Sequence, residues 1–160
     1  MERRVVVLLG LPGVGKTTVA TWLAERGFGV LALREPLWEA ARALWPGAKE
    51  RQVRELEGVL RERWPSFLGE SAARRLQDLS GRVVVDGVEE PADLQPLRVY
   101  EPEVIWVRRP RAANRRQLPL HYEEEYERLA GHRLENVADL QYLRRRLDIV
   151  LFHLAAKEGG

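Results

Sequence analysis

The sequence predicts an α/β fold: a parallel sheet of about five strands with helices on both faces. The prediction rests first on short apolar, β-branched runs that recur along the chain, Val5–Leu9, Val30–Leu33, Val83–Val85 and Val104–Val107. Strands of a parallel sheet are covered on both faces, so they read as continuous apolar runs and not as alternating ones. It rests second on the stretches between those runs, which carry helical periodicity. Third, the first run turns into a helix through a glycine-rich segment, Gly10–Gly15, which is how a βαβ unit opens.

Taken in order, Val5–Leu9 is the first strand, and Lys16–Arg26 reads as a helix closed by Gly27. Val30–Leu33 is a second strand. Residues 36–79 read as a helical insertion between strands two and three, interrupted at Pro46-Gly47 and at Trp64-Pro65-Ser66. Within its middle helix, Val53, Leu56, Val59 and Leu60 are expected on one face. Arg82–Asp86 forms the third strand, ended by Gly87, and Val104–Val107 the fourth. Asn136 is expected to cap the last helix, with Asp139 in its first turn. Leu140, Leu143, Leu147, Val150, Leu151 and Leu154 form a stripe that docks on the sheet. No repeat or linker divides the chain, so residues 1–160 are expected to form one domain.

Composition narrows the partners. Charged residues make up 31% of the chain, yet the formal net charge is only +2. Most basic residues have an acidic neighbour, and the Arg144–Arg146 trio falls on the solvated face of a helix, so nucleic acid is not an expected partner. The absence of cysteine excludes disulfides and thiolate metal sites. His121, His132 and His153 have no ligand spacing. A strand-like segment begins directly after Met1–Arg4, and no apolar run approaches the ~20 residues of a membrane span. A cytoplasmic location is therefore expected; oligomeric state is left open.

Gly10-Leu11-Pro12-Gly13-Val14-Gly15-Lys16-Thr17 matches G-x-x-x-x-G-K-[ST] at every defined position. The glycines let the backbone close around an anion with its N–H groups pointing inward. The helix that follows adds the positive end of its dipole. On this reading Gly10, Pro12, Gly13, Val14, Gly15, Lys16, Thr17 and Thr18 bind the phosphates of ATP. Lys16 reaches the β- and γ-phosphates, and the Thr17 hydroxyl is offered to Mg²⁺. The expected architecture is thus a three-layer P-loop NTPase sandwich.

Such chemistry also needs a carboxylate at the end of a neighbouring strand. Asp86 closes the run Val83–Val85 and is the candidate metal partner beside Thr17. Planar guanidinium groups suit the charge that phosphoryl transfer spreads over equatorial oxygens. Arg108, Arg109, Arg111, Arg115 and Arg116 gather after the fourth strand. Arg108 and Arg109 are candidate catalytic groups, Arg115 a candidate for the substrate, and residues 108–125 a lid-like segment.

With these segments in view, the chain resembles the nucleoside monophosphate kinase branch of the P-loop kinases. It is similar to the bacteriophage-type deoxynucleoside monophosphate kinases and their dephospho-CoA-kinase-like relatives. The resemblance is carried by the P-loop, by Lys49–Arg51 through Gly58–Arg61 to Trp64-Pro65, by Val83–Val88 with Val104–Pro110, and by Leu134–Leu140. It implies an ATP- and Mg²⁺-dependent phosphotransferase whose insertion binds the acceptor, most simply a (deoxy)nucleoside monophosphate. One departure matters. The phage-type enzymes place an Arg soon after the third-strand Asp, against the acceptor phosphate, whereas here the stretch is Val88-Glu89-Glu90-Pro91. Arg34, Arg51 or Arg61 must then supply that charge, or the acceptor is a different small molecule, such as dephospho-CoA or a sugar acid. A nucleotide-binding regulatory module with little turnover is the reading from another class. A GTPase is disfavoured, since no Asn-Lys-x-Asp segment is present. Trp38, Trp45, Trp64 and Phe67 lie in the acceptor region, where an aromatic ring can stack on a base.

Overall fold

In a computed structural model, residues 3–110 and 121–158 are described. Five strands, β1 (Arg4–Leu9), β2 (Gly29–Ala32), β3 (Arg82–Val88), β4 (Glu103–Arg108) and β5 (His132–Glu135), form one sheet in the order β2-β3-β1-β4-β5. Every pairing is parallel. The helices are α1 (Lys16–Glu25), α2 (Glu35–Leu44), α3 (Glu50–Arg63), α4 (Phe67–Gln77), α5 (His121–Leu129) and α6 (Leu140–Glu158). A 3₁₀ segment, Pro91–Tyr100, joins β3 to β4.

The layers follow from the side-chain alternation of the strands. Val5, Val7 and Leu9 of β1 point to one face, against Leu37 and Ala41 of α2, Val53 of α3, and Leu68, Ala72 and Leu76 of α4. Val6 and Leu8 point to the other, against Val19 and Leu23 of α1 and Leu143, Leu147 and Leu154 of α6. β1 is therefore sealed on both sides, and Val6, Val7, Leu8 and Leu9 have no solvent exposure. Each such side chain contributes about 1.5–3 kcal/mol of burial, which makes the central strand the anchor for the loop that leaves it.

Three helices fill residues 36–79, broken near Pro46-Gly47 and Trp64-Pro65 as expected. Two local expectations fail. Val59 is 67% exposed, because a position six residues after Val53 is rotated off the face shared by Val53, Leu56 and Leu60. Asn136 does not cap α6. Asp139 does so, its carboxylate accepting from Tyr142 N–H at 2.8 Å, and the exposed Leu140 falls outside the buried stripe. Among the described residues, no helix is long and apolar enough to cross a membrane.

Candidate active site

The site sits at the carboxyl ends of the strands, where open α/β sheets bind ligands. β1 ends at Leu9, and the chain wraps through Gly10–Gly15 into α1. Gly13 (φ 79°) and Gly15 (φ 105°) adopt the left-handed conformation that turns N–H groups toward the concave side. Gly10 answers a different demand: a Cβ there would lie 2.5 Å from the Val107 carbonyl oxygen, so the loop leaves the sheet pressed against β4. Asn136, just after β5, donates its side-chain amide to the Val14 carbonyl at 3.1 Å and its backbone N–H donates to Arg108 at 2.7 Å. The residue expected to cap a helix instead ties the phosphate loop to the far side of the sheet.

Lys16 is 7% exposed. Its ammonium donates to the carbonyl of Gly10 and, at 2.9 Å, to that of Leu11, and stands 3.8 Å from Glu89 Oε1. Burial lowers its pKa, while Glu89 and Asp86 pull the other way. Thr17 donates its hydroxyl to Asp86 Oδ2 at 3.2 Å, across the gap between α1 and β3. The other oxygen, Asp86 Oδ1, is buried with no hydrogen-bond partner among the described residues. Burial pushes the Asp86 carboxyl up, against the Thr17 bond, the Lys16 charge and the Gly87 backbone N–H. A hard cation answers this arrangement: it accepts oxygen ligands, would take up the orphaned oxygen, and keeps several waters when it is Mg²⁺. Thr17 and Asp86 thus fit the ion expected of them. No cluster of three or more His, Cys, Asp or Glu able to hold a metal occurs among the described residues.

Among the described residues, two cavities open beside the loop. One, of about 690 Å³, is lined by Gly13, Lys16, Thr17 and Asp86 on one side and by Arg34 and Trp38 on the other. Gly15 and Thr18 also line it, whereas Val14 points into the core. The second, of about 350 Å³, lies between Pro12, Gly58 and Arg61 and the aromatic pair Tyr122 and Tyr126. Arg34 and Glu89 border both.

The arginines expected to meet an acceptor phosphate are already engaged. Arg34 donates to Glu50 at 2.9 Å and to Glu57 at 3.1 Å. Arg61 donates to Glu57 at 3.0 Å and forks onto Asp93 at 2.7 and 3.3 Å. Burial disfavours charge on Arg61, but Asp93 and Glu57 outweigh it and raise its pKa. Arg51 lies on the solvent side of α3, 86% exposed, with Glu55 as its partner, and lines neither cavity. Arg108 faces Glu123 and Glu135 at 3.4 and 3.5 Å; Arg109 is exposed; neither borders the cavities. Arg111, Arg115 and Arg116, and most of the lid expected over 108–125, lie outside the described residues. Of Trp38, Trp45, Trp64 and Phe67, Trp38 alone lines either of these cavities, with Arg42 5.1 Å from its ring centre. Trp45 and Trp64 are exposed, and Phe67 packs on the core.

Sequence reading missed Glu89, Tyr122 and Tyr126. Tyr126 donates to the Glu89 carbonyl and Tyr122 to the Glu90 carboxylate at 2.8 Å. The Tyr122/Tyr126 spacing puts both on one face of α5, a signal visible in the sequence though not its target.

No protein-family model matches the chain, and no curated protein matches it closely. Solved structures do. TT1252 from Thermus thermophilus is 24% identical over 96% of this chain and 99% of its own, with a TM-score of 0.53. A shikimate kinase from Aquifex aeolicus is 14% identical over 98% and 99%, with a TM-score of 0.66. A dephospho-CoA kinase from Campylobacter jejuni is 14% identical over 98% and 99%, with a TM-score of 0.58. At these identities the likeness shows fold: the chain has the P-loop sandwich that several small-molecule kinases share.

Proposed function

We propose that the chain transfers the terminal phosphoryl group of Mg·ATP to a small acceptor held between the phosphate loop and helices α2 and α3. The observation that carries this is the Thr17–Asp86 pair with its orphaned Asp86 oxygen, opening beside Lys16 into the same cavity as the insertion. A loop that only held nucleotide would not need a second cavity walled by an insertion.

The chain's own residues account for most of the work. Backbone N–H groups of the loop and the start of α1 hold the triphosphate. Lys16 exchanges its carbonyl partners for phosphate oxygens, a charge-assisted contact in place of neutral ones. Thr17 and Asp86 would hold Mg²⁺, which when bound would supply neutralisation of developing charge. The insertion brings the acceptor oxygen into line, and positioning of that kind supplies much of the rate in such transfers.

The paired state of Arg34 and Arg61 favours an acceptor whose reacting group is a plain hydroxyl, the class to which shikimate belongs. A (deoxy)nucleoside monophosphate is the second reading. It is supported by the family resemblance and by Arg34, whose guanidinium borders both cavities and could leave Glu50 for a phosphate. ADP release from Mg·ATP, with and without dTMP, AMP, shikimate, D-gluconate and glycerol, tests the proposal. Acceptor-dependent release that disappears in Asp86→Asn supports it. Tight nucleotide binding with no release under any condition would leave a regulatory module instead.

A further inference from the structure

Glu89 occupies the place where the resemblance leads one to expect an arginine. Its backbone is pinned from both sides: the Val88 carbonyl accepts from Gly10 N–H at 3.1 Å, and the Glu89 carbonyl accepts from the Tyr126 hydroxyl. The side chain therefore has little choice but to stand at the boundary of the two cavities, which it lines together with Arg34 and Pro12. Its carboxylate accepts no hydrogen bond from the described residues. Among the described residues its one ion-pair contact within 4.0 Å is the Lys16 ammonium at 3.8 Å, beyond hydrogen-bond reach and already bonded to two loop carbonyls. A carboxylate serving only to neutralise Lys16 would be expected in direct contact with it.

The charges around Glu89 bear on what can approach. Lys16, Arg34 and Arg54 face it as cations, and Glu57 as an anion, with the Tyr122 and Tyr126 hydroxyls turned to Glu90 and to the Glu89 backbone. The smaller cavity is lined by Arg34, Arg54 and Arg61 and by Glu57, Glu89 and Glu90; Arg34 and Arg61 are paired as described, and Arg54 donates to Glu50 at 3.0 Å. A phosphomonoester brought there meets three carboxylates and no unpaired guanidinium among the described residues; a hydroxyl meets a hydrogen-bond acceptor.

We infer that Glu89 is a catalytic residue that receives the proton of a non-phosphorylated hydroxyl acceptor, and that it selects such acceptors over monophosphates. This rests on the phosphotransferase reading above. The acceptor oxygen forms a bond to the terminal phosphorus of ATP. The bond from that phosphorus to the β–γ bridging oxygen breaks, and ADP leaves with the electron pair. The hydroxyl proton passes to Glu89 and then to solvent. Burial raises the Glu89 pKa, opposed first by Lys16 and then by Arg34, which makes it a stronger base than a solvated carboxylate.

The test compares wild type, Glu89→Gln and Glu89→Asp. ADP release is followed with water alone, with shikimate, D-gluconate and glycerol, and with dTMP and AMP; Mg·ATP and Mg·ADP are titrated separately by calorimetry. Glu89→Gln should lower kcat about 10²–10⁴-fold, the usual span for a lost general base, while KM for ATP stays within threefold. It should also tighten Mg·ATP relative to Mg·ADP, because a carboxylate facing the terminal phosphate is gone. Glu89→Asp should recover part of kcat. A Glu89→Gln kcat within threefold of wild type, or wild-type preference for dTMP or AMP over the hydroxyl compounds, overturns the inference and leaves the phosphotransferase reading standing. Nucleotide binding without ADP release in wild type, water included, overturns both.

Discussion

Asp93 offers a prediction about how the insertion is held. It is fully buried at the start of the 3₁₀ segment, and accepts from two Arg61 nitrogens at 2.7 and 3.3 Å and from Gly69 N–H at 3.0 Å. Burial pushes the Asp93 carboxyl up, opposed by three donors, two of them from one guanidinium. The bond ties α3 to the segment crossing beneath α4. Replacing Asp93 by Asn removes the charge while keeping an acceptor for Gly69. Removing one member of a buried pair costs about 3–5 kcal/mol. Arg61 retains Glu57 and the Pro65 carbonyl at 2.8 Å, so the lower end applies, about 3 kcal/mol. For a domain of this size that lowers Tm by about 6–12 °C. Thermal unfolding followed by circular dichroism measures it, with Arg61→Met and the double variant closing a cycle. The double variant should lose less than the sum of the singles. A Tm within about 2 °C of wild type would mean the pair acts like an exposed ion pair, and the reasoning would be wrong.

Gly10→Ala sets a Cβ 2.5 Å from the Val107 carbonyl, so it should cost about 1–3 kcal/mol and weaken ATP by shifting the loop. Gly13→Ala meets no atom within 4 Å, so its cost, read by the same unfolding assay, should be only the ~1–2 kcal/mol of a left-handed backbone. His132 has its pKa lowered by burial from 6.5, and its Nε2 lies 3.7 Å from Glu103, too far for a hydrogen bond. The folded state therefore favours the neutral ring. His132 supports stability above about pH 6.5, and that support is lost as pH falls through the folded value. Unfolding of wild type and His132→Gln between pH 7.5 and about 4.5 should show a shallower decline in the variant.

The sheet was legible in the sequence because Val5–Leu9 and Val104–Val107 carry their burial as uninterrupted apolar runs, a purely local signal. The phosphate loop was legible for a related reason: its glycines and Lys16 are fixed by short-range geometry. β5 was harder. His132–Glu135 contains one buried residue, Leu134, and its strand character comes from pairing with β4. The roles of Asn136 and Asp93 depend on partners 122 and 32 residues away, and no window of sequence contains both ends of either contact. The arginines show the same limit most clearly. Composition could suggest that Arg34, Arg51 and Arg61 meet a phosphate, but only the folded chain reveals that Glu50, Glu55, Glu57 and Asp93 meet them first.

The central claim is that Lys16 and its loop hold the phosphates of ATP for transfer, and calorimetric titration of Mg·ATP into wild type and Lys16→Ala tests it most directly. Trading a charge-assisted contact for none is worth about 1.5–3 kcal/mol, or about 10- to 100-fold in Kd. Lys16→Ala should show that loss, no ADP release, and circular dichroism like that of wild type. Equal affinity and equal turnover in the two proteins would contradict the account.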